Sequence, residues 1–315
     1  MKKILLNKIV SIAPERVFLN EPMSKHTTFG IGGPASCFIY PEREHLRQIL
    51  KIANDYSIPI FFMGGGSNLL VSDKGFDGIV VSFAKSLKKL VFRKSNTFSC
   101  ESGVMLGHLV KEVGKRGIGG MEGLVGVPGT VGGALVMNAG AYGKEISNLL
   151  QSATVLTMTG DEKIYQRSDI NFSYRYSTFP KNEILLEAEF KGEKVNQKDI
   201  SSEKLEASER RKLSQPLKFR SAGSIFKNPS EMMAAGYLID KSNLKGSISG
   251  NAEISEKHAN FIINRGDAKA SDVIKLINKA KSQVKKQFNI ELKLEIKLLG
   301  FNEKTMNELV GNGIG

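Results

Sequence analysis

Residues 58–68 read Ile-Pro-Ile-Phe-Phe-Met-Gly-Gly-Gly-Ser-Asn, a short apolar run that stops in three consecutive glycines. A strand feeding directly into glycines is the usual setting of a phosphate-cradling loop, because backbone N–H groups approach an anion only where no side chain intervenes. Working outward, Ser36-Cys37-Phe38-Ile39-Tyr40 reads as a preceding strand. Residues 42–55 then place Leu46, Ile49, Leu50 and Ala53 at i, i+3, i+4 and i+7, one face of a helix. The run GIVVSF (78–83) supplies a further strand. Strand, helix, strand, glycine turn and strand together predict a small α/β unit.

A second glycine-rich stretch lies downstream. Thirteen glycines fall in the 42 residues from Ser102 to Gly143, six of them at strict spacing three: Gly117, Gly120, Gly123, Gly126, Gly129 and Gly132. One proline and six triplets cannot sustain a collagen helix. The spacing instead suggests a loop with almost no side chains on one side, against which a flat or charged ligand lies; tight backbone packing is the plainer alternative. Two such loops about 60 residues apart suit a long ligand with a pyrophosphate in its middle, such as a dinucleotide.

Beyond them, ATVLTMT and EILLEAEF mark residues 152–190 as strand-rich. A charged stretch from Lys191 to Lys212, ending in the helix-forming SSEKLEASERRKL, reads as the boundary of a second region. A helix is expected from about Ser271 to Phe288, with Val273, Ile277, Ala280, Val284 and Phe288 along one face and Ser271 or Asp272 as N-cap. IELKLEIKLL reads as a closing strand, with Leu292, Leu294 and Ile296 on one face and Glu291, Lys293 and Glu295 on the other. The polar tail from Phe301 is expected to fray.

Composition narrows the class. The chain has 315 residues, 41% hydrophobic and 24% charged, which is ordinary for a globular protein and excludes a disordered chain. Its net charge of +13 permits nucleic acid, a membrane surface or small anions as partners. Basic residues are dispersed, however, and no nucleic-acid module is present. Two cysteines without a CxxC pair argue against a disulfide framework or a cysteine zinc site, and the four scattered histidines contain no HExxH, so no metal is expected. MKKILLNKIV is broken by Asn7 and Lys8 and fails as a signal peptide, and no apolar run reaches 18 residues, so a cytoplasmic location is expected.

No P-loop and no GxSxG elbow occurs. Gly30-Ile31-Gly32-Gly33-Pro34-Ala35 fits GxGxxA formally, but no strand precedes it and Pro34 interrupts the helix start. Three single residues stand out. Arg175 in SYRYS suits a guanidinium gripping a carboxylate, or a surface arginine stacked on tyrosines. Ser224 in SAGSIFKNP could give a proton to a strong carbanion-like base, or be an ordinary turn serine. Glu295 on the polar face of the last strand is by default solvated.

Segments spread along the chain give these residues a context: KHTTFGIGGPA (25–35), MGGGSNLLVSDKGFDG (63–78), GMEGLVGVPGTVGGALVMNAGAYG (120–143), SYRYSTF (173–179), RSAGSIFKNP (220–229), AAGYLID (234–240), SEKHANFIIN (255–264) and LEIKLLG (294–300). In order and content the chain resembles the UDP-N-acetylenolpyruvoylglucosamine reductases, flavoproteins of bacterial cell-wall (peptidoglycan) synthesis, from about Ser24 to Gly300. The resemblance implies an α+β fold: a two-part FAD-binding domain of the vanillyl-alcohol-oxidase type over 25–195 (parts at about 25–85 and 86–195), a C-terminal α+β substrate domain over 196–300, an N-terminal segment 1–24 and a tail 301–315. It implies noncovalent FAD, with the diphosphate on Gly64, Gly65, Gly66, Ser67 and Asn68 and on Gly126, Pro128, Gly129, Thr130 and Gly132.

NADPH is the implied reductant and the enolpyruvyl UDP-sugar the substrate, the reduced flavin giving hydride to the terminal methylene carbon. Ser224 matches the serine that protonates the adjacent carbon, and Arg175 and Glu295 match the pair that stabilises the intermediate. A glutamate beside a developing anion helps only if it is protonated or relays a proton, so a raised pKa is expected for it. Tyr174, Lys227 and Asn228 match substrate contacts, with Lys227 or Lys212 within reach of the diphosphate. Arg175 and Ser224 are 224 − 175 = 49 positions apart, which resembles the version of the family lacking an extra tyrosine-bearing loop. A monomer is expected. The alternative within the same fold is a flavin-dependent alcohol oxidase, against which SAGSIFKNP and SEKHANFIIN argue.

Overall fold

The helix Arg43–Asp55 forms as its spacing requires, in a computed structural model that describes residues 3–310. Leu46, Ile49, Leu50 and Ala53 are all buried. Glu42 opens the helix with a reciprocal cap: its backbone N–H donates to His45 Nδ1 at 3.1 Å, while its side chain accepts from the backbone of His45. The apolar face packs on Cys37, Ile39, Ile79 and Val81 of neighbouring strands. The strands Ile60–Met63 and Phe76–Ser82 pair in parallel, Ile60 opposite Ile79 and Met63 opposite Ser82.

The chain divides into two units. The first takes residues up to Leu19, Cys37–Gly65 and Gly78–Arg211; the second takes Asn20–Ser36, Gly66–Asp77 and the chain from Lys212 onward. Where the sequence reading starts the last domain at 196, the helix Gln197–Ser214 stays with the first unit as far as Arg211.

Beside the small α/β part, the first unit holds a five-stranded antiparallel sheet in the order Glu162–Gln166, Leu150–Thr157, Glu183–Lys191, Thr97–Glu101, Leu90–Phe92. The expected strands at 152–190 are therefore present, separated by the turns and short segments between Thr157 and Glu183. Phe98 and Phe190 stack across this sheet at 5.3 Å. The helix Leu106–Lys115 covers their side with Leu106, Leu109, Val110 and Val113. The glycine triplets are not one loop: they run through the short 3-10 turn Glu122–Leu124 and into the helix Val131–Val136.

In the second unit the helix Ala270–Phe288 buries Val273, Leu276, Ile277, Ala280 and Val284 against Ile225, Phe226, Ile254, Ile262, Leu292 and Ile296. Phe288, expected on that face, is 36% exposed. The helix begins earlier than its sequence predicts, with Lys269 at the N-cap in place of Ser271 or Asp272. The reason is non-local: the Asp73 carboxylate accepts the N–H groups of Ala270 at 2.7 Å and Ser271 at 3.0 Å, which the first turn would otherwise leave without partners. Asp272 accepts instead from Lys269 N–H at 3.1 Å.

The closing strand is also shorter than expected. Only Lys297–Leu299 is regular, paired in parallel with Leu69–Val71. Leu292 and Ile296 are buried as the alternation requires, but the stretch before Lys297 is irregular, with one bridge at Leu294 to Phe226. The tail does not fray from Phe301: Glu303–Val310 is a helix, Leu309 is buried, and its carbonyl accepts from Lys281 Nζ at 2.6 Å. Among the described residues no helix is long and apolar enough to cross a membrane.

Candidate functional site

The two glycine loops separated by about 60 residues in sequence meet in the first unit. A Cβ on Gly64 would overlap Thr130 Oγ1, and one on Gly65 would stand 3.4 Å from Gly129 Cα. Residues 129–132 are in turn fastened to 102–106: Leu106 N–H donates to Gly129 O at 3.0 Å, Val131 N–H to Val104 O at 2.9 Å and Gly132 N–H to Ser102 O at 2.9 Å. A Cβ on Gly132 would stand 2.8 Å from Ser102 Cβ. Backbone meets backbone at Gly65 and Gly129, while Gly64 and Gly132 are packed against the Thr130 and Ser102 side chains. The two loops therefore lie too close for added side chains, and the N–H-rich backbone between them suits a dinucleotide diphosphate. Gly126, at φ 73°, leaves room for Arg211, whose Cδ would stand 3.2 Å from a Cβ there. Arg211 is buried, and burial lowers its guanidinium pKa below the ordinary arginine value.

Arg175 sits on the turn of a small hairpin in the same unit. Phe172–Ser173 and Tyr176–Ser177 pair antiparallel, leaving Tyr174 and Arg175 as the two loop residues. Arg175 is left-handed at φ 54°, a conformation costly for a residue of its size. Its guanidinium carbon lies 5.0 Å from the centre of the Tyr174 ring, and Tyr174 is 45% exposed. Asn171 and Thr178 extend the hairpin by two hydrogen bonds, Thr178 N–H to Asn171 O at 3.0 Å and Asn171 N–H to Thr178 Oγ1 at 2.9 Å.

Ser224 belongs to the second unit, in a segment held on both edges. On one edge Ser224 bridges Phe261, and Ile225 N–H donates to Asn260 O at 2.8 Å. The Asn260 side chain adds a reciprocal pair, accepting Phe226 N–H at 2.9 Å and donating to Phe226 O at 2.8 Å. On the other edge Lys227 N–H donates to Lys293 O at 2.9 Å, and Glu295 N–H donates to Ile225 O at 2.8 Å. Ser224 and Glu295 thus stand one residue apart across neighbouring segments, both half-buried.

Asn68, within the second unit, reaches Glu295. Its Nδ2 donates to Glu295 O at 3.1 Å, and its carbonyl accepts from Lys297 N–H at 2.9 Å. Gly66 O accepts from Thr28 N–H at 3.1 Å, and Thr28 Oγ1 donates to Ser221 O at 2.8 Å, so the KHTTF segment links loop and serine segment. Asn228 Oδ1 accepts Ala235 N–H at 3.1 Å, at the start of the helix Ala235–Lys241. Lys212 offers its carbonyl to Lys257 Nζ at 2.6 Å.

The sequence reading missed Asn138, Asn260, Thr28 and Arg211. Each sits inside a quoted motif or at the end of the charged helix, but what it touches lies far away along the chain. Among the described residues no group of three or more His, Cys, Asp or Glu side chains could hold a metal ion.

Comparison with known proteins adds to this geometry. Residues 35–164 match the model of an FAD binding domain, and residues 215–299 match that of the C-terminal domain of UDP-N-acetylenolpyruvoylglucosamine reductase. The enzyme of that name from Clostridium tetani is 40% identical over 301 residues, covering 95% of this chain and 97% of the relative. Its namesake from Caldanaerobacter subterraneus is 40% identical over 303 residues, covering 95% and 99%. The crystal structure of the reductase from Thermus caldophilus superposes with a TM-score of 0.75 at 34% identity, covering 90% of this chain and 98% of that one.

Proposed function

The chain belongs to the UDP-N-acetylenolpyruvoylglucosamine reductase family, and on that premise we propose how its own residues divide the reaction. It is an FAD-containing, NADPH-dependent oxidoreductase of peptidoglycan synthesis that reduces the enolpyruvyl group of the UDP-sugar to give UDP-N-acetylmuramate. The chemistry that FAD would supply when bound is hydride transfer, from NADPH to the terminal methylene carbon of the substrate. The backbone cradle of Gly64, Gly65, Gly129, Thr130 and Gly132, continued by Gly66, Ser67 and Asn68 and flanked by Gly126 and Pro128, holds the diphosphate. The meeting of the two glycine loops, Gly65 beside Gly129, and the match of residues 35–164 to an FAD binding domain support this assignment.

Ser224 Oγ–H gives its proton to the carbon next to the carboxylate, so that one hydride and one proton saturate the double bond while NADPH becomes NADP⁺. Arg175 grips the substrate carboxylate and stabilises the charge that spreads into it as hydride arrives. Glu295 acts in its protonated form, as a donor or a relay to Ser224, since a bare carboxylate would oppose that charge. Tyr174, Lys227 and Asn228 contact the substrate. The observation that carries the reading is the 2.8 Å bond from Glu295 N–H to Ile225 O, which sets the glutamate beside the serine segment. The same reading has the chain working as a cytoplasmic monomer.

The test is an absorbance spectrum of the purified protein, followed anaerobically. Flavin absorbance that bleaches with NADPH and returns on adding the enolpyruvyl UDP-sugar supports the proposal. Flavin that bleaches, ignores that sugar and recovers only with oxygen favours the alcohol-oxidase alternative. The match of the C-terminal domain over residues 215–299, which spans Ser224 and Glu295, weighs against that outcome.

A further inference from the structure

The Arg175 turn is suspended from the end of a helix that carries the glycine loop at its other end. The helix Val131–Val136 starts at Thr130, whose Oγ1 accepts Gly133 N–H at 3.5 Å. It ends in a left-handed cap: Asn138 N–H donates to Leu135 O at 3.1 Å, Ala139 N–H donates to Ala134 O at 2.7 Å, and Asn138 has φ 43°. That arrangement needs a residue tolerant of the left-handed region, which glycine meets best and asparagine second. A glycine would suffice for the cap.

The asparagine side chain does something else. Asn138 is 0% exposed, and its Nδ2 donates both to Glu145 Oε2 at 2.8 Å and to Ser173 O at 3.1 Å. Ser173 is the residue immediately before the Tyr174–Arg175 turn. A second bond comes from the other strand of the hairpin, where the buried Ser177 Oγ donates to Val136 O at 2.7 Å. One hairpin strand is thus tied to each of two positions at the same helix end, and the turn between them carries the strained arginine. Glu145 steadies the amide with its carboxylate, since the reverse orientation would set the amide oxygen against a carboxylate oxygen.

We infer that Asn138, with Ser177, is a positioning residue that aims Arg175. The inference rests on the proposed role of Arg175 in holding the substrate carboxylate. Asn138 is fully buried and acts through its bond to Ser173, which fixes the height and tilt of the turn on the helix end. An error of about 1 Å in a group that grips a reacting substrate is enough to cost roughly 100-fold in rate.

Asn138→Gly removes the amide while keeping a residue at ease at this φ. The expected result is a loss of about 10- to 100-fold in kcat/KM for the enolpyruvyl substrate, with flavin content and the rate of flavin reduction by NADPH unchanged. Ser177→Ala should show the same pattern more weakly, and it stands in for Asn138→Gly if that variant does not fold. The decisive reading is a double-mutant cycle with Arg175→Ala. In the Arg175→Ala background either substitution should add little further loss. Equal losses with and without Arg175, or no loss at all, overturn the inference while leaving the arginine's role standing. If Arg175→Ala alone leaves the substrate half-reaction unchanged, the reading of Arg175 fails and this inference fails with it.

Discussion

The two polar groups assigned to the substrate are held in opposite ways. Ser224 lies in a segment gripped along both edges by main-chain bonds, to Asn260 on one side and to Lys293 and Glu295 on the other. Arg175 stands on a two-residue turn whose ties to the helix end are two side-chain bonds, from Asn138 and Ser177. A main-chain clamp survives most substitutions because every residue type supplies the same backbone groups. A side-chain tie is lost with one residue. The Ser224 segment thus keeps its main-chain bonds through most substitutions and adds a side-chain clamp from Asn260, whereas the two ties of the Arg175 turn come from the Asn138 and Ser177 side chains.

The contrast can be broken most forcefully at Ser224, proposed above as the proton donor. Ser224→Ala should leave flavin reduction by NADPH intact and slow the substrate half-reaction by about 100- to 10,000-fold, the range of a lost general acid. Equal loss in both half-reactions, followed by stopped-flow absorbance, would remove Ser224 from the proton-transfer step.

Asn260→Ala probes the clamp rather than the donor. It strips Phe226 N–H and Phe226 O of their buried partner, at about 1–3 kcal/mol for each group left unsatisfied. Denaturant unfolding should show that loss. A variant as stable as the parent would mean that the two edges do not hold the segment as described.

At the other end of the short helix, Gly64→Ala presses a methyl group into Thr130 Oγ1. Overpacking of this kind costs about 1–3 kcal/mol, and the purified variant should retain less FAD. Full retention would argue against the backbone cradle. Gly107→Ala, where a Cβ meets nothing within 4 Å, is the control.

The smallest effect is expected at His258. Burial lowers its imidazole pKa below the ordinary value of 6.5. The unfolded chain therefore takes up this proton first, so the contribution to stability is complete above pH 6.5 and is lost as pH falls from there through the lower value of the folded imidazole. His258→Gln should flatten the fall in unfolding free energy between pH 7.5 and 5; an unchanged slope would show that other groups account for it.

Elements set by local periodicity were legible in the sequence. Leu46, Ile49, Leu50 and Ala53 named a helix face, and every one of them is buried. Elements set from far away were not. The start of the helix at Ala270 depends on Asp73. The alternating residues 291–296 meet only a short stretch, Ile225–Lys227, through one bridge and two main-chain bonds, with the Asn68 side chain on Glu295, and form no regular strand. The polarity of the tail is visible in the sequence, whereas the docking of Leu309 that holds it as a helix is not. In the same way Ser224 and Arg175 emerge from their motifs. Asn138, Asn260 and Asn68 look like turn or cap residues until the carbonyl each one meets, up to 227 positions away, is known.

The bond from Asp73 to Ala270 spans 197 positions, and this has a consequence for the order of events during synthesis. The unit that contains both residues is assembled from three separate stretches, the last of which leaves the ribosome long after the first two. Asp73 emerges with its acceptor role unfilled and waits through the making of the other unit's antiparallel sheet. Only when Ala270 appears does the carboxylate find its amides. A nascent chain stalled before residue 270 therefore carries a largely finished first unit and a second one that cannot close, and it is there that a chaperone would have surface to hold.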